Sequence, residues 1–404
     1  MNAHGFLFLQ SKIPYFNSLL LILLGFFLPL SISISTLIIA VIVLFWLIDG
    51  RFLEKYKVIT SHSLSYAFLA FFSVHLLGLL WTEDLQWGLH IVSKEWRLLL
   101  FPIFLTIVYQ EHIKHYITSF LIALSFSEIC SYLIWFKIIP PINNATIENP
   151  TPFVSHLSYN PLLAFSIYLL LHFLIFENKN SLIFKAISVF FIVTMSINMF
   201  ITGGRAGQIV FFMMIVLIAI QYFKKNIIKI LLIVFIALPS VFYVAYSSSD
   251  IFHERVTLAI NEAKAFKETP NTSVGLRLTF LLNSIEIIKN HPLLGVGTGD
   301  FPTEYKKINE IKTPNAYLPK QPHNMYILVL VQTGLLGFLS LLSIFYTQIK
   351  LSFQKNELKN IRIALPILFL VIMLSDSYLL GHYTTLFFVY FSSFLYKDFQ
   401  NETL

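Results

Sequence analysis

The chain has 404 residues, 56% of them hydrophobic and only 12% charged, and Phe alone contributes 41. A soluble chain is nearer half apolar and a quarter charged, so this composition excludes a large soluble core and describes a polytopic membrane protein. The net charge of +7 is not a nucleic-acid footprint, because the basic residues sit mostly in short loops between apolar runs, and the single Cys130 excludes both an intrachain disulfide and a cysteine metal cluster.

In chain order, about twelve apolar runs have the length that crosses a bilayer core, roughly 15 to 25 residues. They fall near 15–30, 32–48, 63–80, 98–110, 116–136, 158–176, 183–201, 207–223, 227–246, 323–348, 361–376 and 380–396. Lys12 precedes the first run, no small-residue cleavage site follows it, and Pro29 leads into the second, so it reads as a membrane helix rather than a removed leader. Hydrocarbon offers backbone groups no water, so every run should be a helix. The expected fold is all-α: a bundle over 1–246 (about nine helices), a long loop over 247–321, and about three helices over 322–404 completing the same bundle.

Loop charges set the orientation. With the N-terminus inside, the inner segments carry Lys12, Arg51, Lys55, Lys57, Lys114, Lys179, Lys185, Lys224, Lys225, Lys229, Lys350, Lys355, Lys359, Arg362 and Lys397, whereas the short outer loops carry only Lys94, Arg97, Lys137 and Arg205. This asymmetry places both termini in the cytoplasm and the long loop outside. Within that loop, "IFHERVTLAINEAKAFKE" spaces Val256, Ile260, Ala263 and Phe266 at helical intervals. A second amphipathic helix, "SVGLRLTFLLNSIEIIKNHP", has Leu278, Leu281, Leu282, Ile285 and Ile288 as its apolar stripe and stops at His291-Pro292. Both suit the outer membrane surface or a cap on the bundle.

Three stretches on the outer side carry candidate chemistry. "TGGRAGQ", Thr202 to Gln208, joins two spans through a turn whose glycines permit close approach, with Arg205 at its tip. The alternative for Arg205 is a cation snorkelling from a helix end. "VGLRLTF" holds Arg277, which on spacing alone is an ordinary surface residue. The following "HPLLGVGTGDF" looks superficially like a dinucleotide loop, but no strand precedes it and no helix is visible after it, so it reads as a tight turn. "PHNMYILVLVQTGLLGFL" opens a span with His323 and Asn324; Asn324 could cap that helix, and Pro322 would set its entry.

Two arginines and a histidine on one side of a membrane suggest an anionic lipid. Guanidinium forks onto phosphate oxygens, so a pair suits a diphosphate. A histidine side chain accepts a proton near neutral pH, with an unperturbed pKa of roughly 6.5. Asp300, Glu304 and Glu310 are scattered and Asp376 stands alone, so no acidic cluster for Mg²⁺ is apparent; the expectation is no metal and no cofactor, with arginines neutralising the diphosphate. Lys94, Arg97, His156 and Asn324 could line the same cavity. Lys94 and Arg97 can equally be interfacial anchors beside Trp96, and His156 a helix cap.

Together, "TGGRAG", "GLRLTFLLNSIEIIKNHPLLGVGTGDF" and "PHNMYILVLVQTGLLGFL", in that order around one long loop, resemble the O-antigen ligase and polymerase family of bacterial envelope glycosyltransferases. "SKEWRLLLFP" and "SHLSYN" are weaker resemblances in the first half. The resemblance implies a metal-independent, inverting glycosyltransferase of the bacterial inner membrane. Its donor would be an undecaprenyl-diphosphate-linked glycan and its acceptor lipid A-core (ligase) or another lipid-linked glycan (polymerase). It also implies that Arg205 and Arg277 hold the diphosphate and His323 works at the reacting centre. The alternative from another class is a lipid or solute transporter. Such proteins carry ionisable groups at mid-membrane, and here Glu128 in "LSFSEICSYL" is the main one.

Overall fold

A backbone N–H or C=O in hydrocarbon must find its partner within the protein, and the helix supplies that partner locally. The computed structural model describes residues 3–177, 181–224, 226–264, 271–354 and 358–399, without the side chains of 3–11, Ile251 and Ala263. It is 79% helix, with no strand among the described residues. In chain order the helices are α1 (Ala3–Phe27), α2 (Ile32–Asp49), α3 (Phe52–Ser61), α4 (Ser63–Leu77), α5 (Leu85–Glu95), α6 (Leu100–Ile107), α7 (Ile113–Trp135), α8 (His156–Phe176) and α9 (Leu182–Ile201). They continue as α10 (Arg205–Phe223), α11 (Ile227–Leu232), α12 (Leu238–Ser248), α13 (Asp250–Lys264), α14 (Ser273–Asn290), α15 (Phe301–Lys312), α16 (Met325–Ser352), α17 (Lys359–Ile372) and α18 (His382–Leu395). Phe266, Lys179, Lys225 and Lys355, which entered the expectations above, lie outside the described residues.

Among the described residues, 8 helical stretches are long and apolar enough to cross a membrane: Ile32–Asp49, Ser63–Trp81, Gln110–Trp135, His156–Phe176, Leu182–Ile201, Arg205–Phe223, Ile227–Ser248 and Met325–Ser352. Length and composition thus support fewer spans than the twelve or so expected. The other four runs are helical but shorter, in the apolar part of α1 (Lys12–Phe27), α6, α17 and α18. Shortness does not put α18 at the rim, since every residue from Thr384 to Leu395 is buried. Its Phe387 packs edge-on to Phe165 of α8, with ring centroids 5.3 Å apart, and Phe388 lies 4.4 Å from Phe369 of α17. In a bilayer such close ring packing replaces the hydrophobic driving force, because lipid tails are as apolar as the side chains.

The helix α16 is broken near its start. Gly334 stands at φ 60°, ψ −155°, which opens the helical ladder inside an apolar run. The segment Pro292–Gly297 closes it again: Val296 N–H donates to Val331 C=O (2.9 Å), Gly297 N–H to Gln332 C=O (3.0 Å), Leu335 N–H to Pro292 C=O (2.9 Å) and Leu336 N–H to Leu293 C=O (3.2 Å). The glycines of "HPLLGVGTGDF" are therefore a clasp on a helix break. A helix, α15, does open after this loop, contrary to expectation, but with no strand before it the loop remains unlike a dinucleotide site.

The same loop fixes α5, a helix that the sequence patterning did not reveal. The buried Asp300 carboxylate accepts from Thr82 Oγ1 (2.7 Å), Glu83 N–H (2.8 Å) and Asp84 N–H (2.8 Å). Asp84 in turn caps α5 by accepting from Trp87 N–H at 2.9 Å. Ile91 of α5, Phe280 and Ile287 of α14, Phe301 and Tyr305 of α15, Leu328 and Val331 of α16 and Leu380 form a second apolar core at one end of the bundle. This core corrects the stripe expected on α14. The buried face is Gly275, Thr279, Phe280, Asn283, Ser284 and Ile287, whereas Leu282 is 56% exposed. Two of the polar residues on that face have partners: Asn283 Nδ2 donates to Tyr305 Oη (3.1 Å) and Thr313 Oγ1 (2.7 Å), and Thr279 Oγ1 donates to Gly275 C=O (3.0 Å).

A Cβ at Gly334 would stand 2.4 Å from the backbone of Leu293, and one at Gly295 2.4 Å from that of Gln332, both at positive φ, whereas at Gly203 the nearest atom is 3.6 Å away. Gly334→Ala and Gly295→Ala should each cost about 1–3 kcal/mol or more and lower the thermal unfolding midpoint in detergent. Gly203→Ala should leave that midpoint unchanged.

Candidate active site

The candidate residues are arranged along α14. This helix begins where Thr272 accepts from Gly275 N–H (3.2 Å) and Glu262 from Val274 N–H (2.9 Å). Ser273, Arg277 and Phe280 follow at i, i+4 and i+7, so they share one helical face and span about 10 Å along the axis. At one end Arg205 Nη2 donates to Ser273 Oγ at 2.9 Å. At the other, the His323 ring stacks over Phe280, with centroids 6.1 Å apart and planes inclined by 25°. Arg277 lies between them with an exposed side chain. Its charge reaches both Arg205 and Tyr378.

The turn before Arg205 is held from below. The fully buried Asn160 of α8 donates to Gly204 C=O (3.3 Å) and accepts from Thr202 Oγ1 (2.7 Å). Gly204 approaches α8 so closely that a Cβ there would stand 2.6 Å from the His156 carbonyl oxygen. His156, Arg205 and Ser273 are the first residues of α8, α10 and α14, so three helix N-termini meet, each worth roughly +0.5 of an elementary charge. Arg255 of α13 adds a third guanidinium, since its Nη2 is the atom nearest the position of a Cβ on Gly203. The charges acting on Arg205 are those of Arg277, Glu262 and Arg255. The carboxylate among them, Glu262, is already engaged with the N-terminus of α14, which leaves the cluster strongly electropositive.

At the other end, Asn324 caps α16, its Oδ1 accepting from Tyr326 N–H (3.0 Å) and Ile327 N–H (3.1 Å) while its Nδ2 donates to Leu374 C=O (3.1 Å). Its amide is committed to the backbone. Met325 N–H donates to Met373 C=O (2.9 Å), so the loop after α17 is stitched to the start of α16. Between these ties His323 is held at φ 52°, a left-handed conformation uncommon for a non-glycine residue. Its Nδ1 faces Asp376 Oδ1 at 3.3 Å. The same oxygen accepts from Ser377 N–H (2.7 Å) and Gln321 Nε2 (3.2 Å). A carboxylate at Nδ1 favours the tautomer with the proton there, leaving Nε2 as the acceptor.

The remaining candidates divide. His156 joins the Arg205 end, where its Nδ1 accepts from Asn149 Nδ2 at 2.7 Å and the charge of Arg255 reaches it. Lys94 and Arg97 lie away from the Arg205 end, at the end of α5 and just beyond it. Arg97 Nη1 donates to Lys94 C=O (3.1 Å), and the guanidinium carbon sits 5.5 Å from the Trp96 ring centroid. Sequence reading passed over Asp376, which seemed isolated because its partner lies some fifty positions earlier, and Arg255, one charge among several on an amphipathic helix. Among the described residues, no group of three or more His, Cys, Asp or Glu side chains is placed to hold a metal ion.

Comparison with known proteins bears on this region directly. Residues 190–342 match the model of a family described as O-Antigen ligase, which bears out the resemblance read from the three motifs. The matched segment contains Arg205, Arg255, Arg277 and His323, while Asp376, Lys94, Arg97 and His156 fall outside it. An uncharacterized protein of Haemophilus influenzae is 28% identical over 212 residues, which cover 50% of this chain and 52% of that relative, about half of each. With its apolar helices, the chain is a multi-pass membrane protein in which residues 190–342 are similar to the O-antigen ligase family.

The cluster at the head of α14 should bind inorganic pyrophosphate. Arg277→Ala should weaken that binding roughly 10- to 100-fold, the loss of one charge-assisted contact. Arg277→Lys should recover only part of it, because an ammonium does not form the bidentate fork. Isothermal titration of the detergent-solubilised protein measures both.

Proposed function

We propose that the chain is a glycosyltransferase of the ligase type. It moves a glycan from undecaprenyl diphosphate to lipid A-core at the periplasmic face of a bacterial inner membrane, with both termini in the cytoplasm. The observation that carries this reading is the order along α14: two arginines toward its N-terminus, then Phe280 beneath a histidine whose Nδ1 faces a carboxylate. The matched family segment supports the lipid-linked glycan as substrate class.

On this reading the donor diphosphate lies across Arg205 and Arg277, with Arg255 and the converging helix N-termini adding positive potential. His323 Nε2 accepts the proton of the acceptor hydroxyl, while Asp376 orients the ring. The acceptor oxygen bonds to the anomeric carbon as the bond from that carbon to the diphosphate oxygen breaks, which inverts the carbon. The electron pair leaves on the diphosphate, where fixed guanidinium groups stabilise the growing charge without reorganising. Arginines thus do the charge neutralisation, and His323 supplies general base catalysis, an effect of about 10²–10⁴-fold.

His323→Gln should lower transfer by roughly 10²–10⁴-fold while donor binding persists. Asp376→Asn should act in the same direction. Loss of donor binding in His323→Gln would instead make the imidazole a phosphate ligand. In a deletion strain, gel analysis of lipopolysaccharide should show core without attached glycan and an accumulating lipid-linked polymer. Core bearing a single repeat would mark the chain as a polymerase of the same family. Transport of labelled donor in vesicles without transfer would overturn the transferase reading.

A further inference from the structure

We propose that Trp87, His90 and Lys94 of α5, together with Lys320 from the loop before α16, form a subsite for an anionic saccharide, the phosphate-bearing sugar head of the acceptor. Its assignment to the acceptor rests on the transferase reading above. The Lys320 ammonium lies 5.2 Å from the centroid of the Trp87 ring, and the Trp87 and His90 rings stack at 4.6 Å with their planes inclined by 30°. Lys94 follows one helical turn after His90, on the same face. Partial burial, and then the charges of Lys94 and Lys320, hold the His90 imidazole below its ordinary value, so both lysines act on this one point. The result is an aromatic platform rimmed by two ammonium groups. The stacked pair, with His90 exposed, offers the apolar ring surface against which a sugar can lie, and the lysines offer charge to its phosphate.

Nearby acids are otherwise engaged. Asp84 caps the helix through Trp87 N–H, and Glu83 pairs with Lys307 at 3.4 Å. Glu95 is sealed beneath α5, where burial holds its carboxyl well above the usual range and favours the uncharged form. The platform is also held in place, because Asp300 fixes the start of α5.

Its position suits an acceptor. Trp87 packs on the apolar core containing Phe280, the residue beneath His323. Lys320 precedes His323 by three residues, at most about 10 Å of chain. The platform therefore flanks the base, while Arg205 lies at the far end of α14. A donor held at the arginines and a sugar held on α5 would meet at His323.

The test is direct binding with no donor present, which separates it from the transfer assays. The full chain in nanodiscs is titrated with a phosphorylated core oligosaccharide freed of its lipid, and with the same oligosaccharide after phosphatase treatment. The wild type should bind the phosphorylated form at least tenfold more tightly. Lys94→Glu combined with Lys320→Glu should abolish that difference, and Trp87→Ala should weaken both forms while Trp87→Phe restores them. Equal binding of the two forms by the wild type, or unchanged preference in the double variant, would overturn the proposal. So would a double variant altered only in its binding to anionic phospholipid vesicles, which would assign the lysines to the membrane surface. If the oligosaccharide results hold and no transfer is seen, the binding site stands and the transferase reading falls.

Discussion

The break in α16 at Gly334 is the constraint on which the half of this protein that carries the candidate site depends. An open helical ladder inside an apolar run exposes amides and carbonyls that hydrocarbon cannot satisfy. The segment 292–297 satisfies four of them through its own backbone. Once committed, that segment can move little. It sets where α14 ends, where the buried Asp300 reaches out to α5, and where α15 begins. The site is thus positioned by a repair to a membrane helix, which is a rigid support, since breaking it would strand buried polar groups.

From that support the electrostatics follow. The helices α8, α10 and α14 begin at one place because Asn160 ties the turn before Arg205 to α8 and Arg205 reaches Ser273. Three guanidinium groups gather where three helix dipoles point, and the carboxylate acting on Arg205, Glu262, is engaged with a helix terminus. Such a concentration of positive charge next to hydrocarbon is costly unless an anion completes it. The opposite end of the bundle handles its charges differently. There Lys55 bonds both Asp49 (2.8 Å) and the Trp46 carbonyl (2.5 Å), a closed arrangement in which the cation is already neutralised.

Much of this was legible in the sequence, and the exceptions have physical causes. Apolar runs give helices reliably because hydrocarbon allows little else, so all twelve expected runs are helical. By length and composition 8 stretches suit a crossing, because α6, α17 and α18, in three of the remaining four runs, are shorter than the apolar runs they occupy. Arg205, Arg277 and His323 stand out as candidates because charge beside an apolar run is conspicuous. Asp376 escaped because a carboxylate in a loop is ordinary until the loop is seen stitched to Met325. The true inner face of α14 escaped for a related reason. Thr279, Asn283 and Ser284 are polar by type, and the partners Tyr305 and Thr313 that make the burial of Asn283 favourable lie 22 and 30 positions further on. In each case a pairing distant in sequence decided the outcome, and hydropathy does not encode pairings.

In the proposed transferase a diphosphate lies along the first turns of α14, between Arg205 and Arg277, with His323 beyond it. A structure of the chain in nanodiscs with undecaprenyl diphosphate measures this most directly. Two phosphates should lie within hydrogen-bonding distance of both guanidinium groups, with the His323 Nε2 side open to the remaining cavity. Phosphates bound instead at the Asp49–Lys55 end, or Arg205 and His323 facing separate compartments, would contradict it.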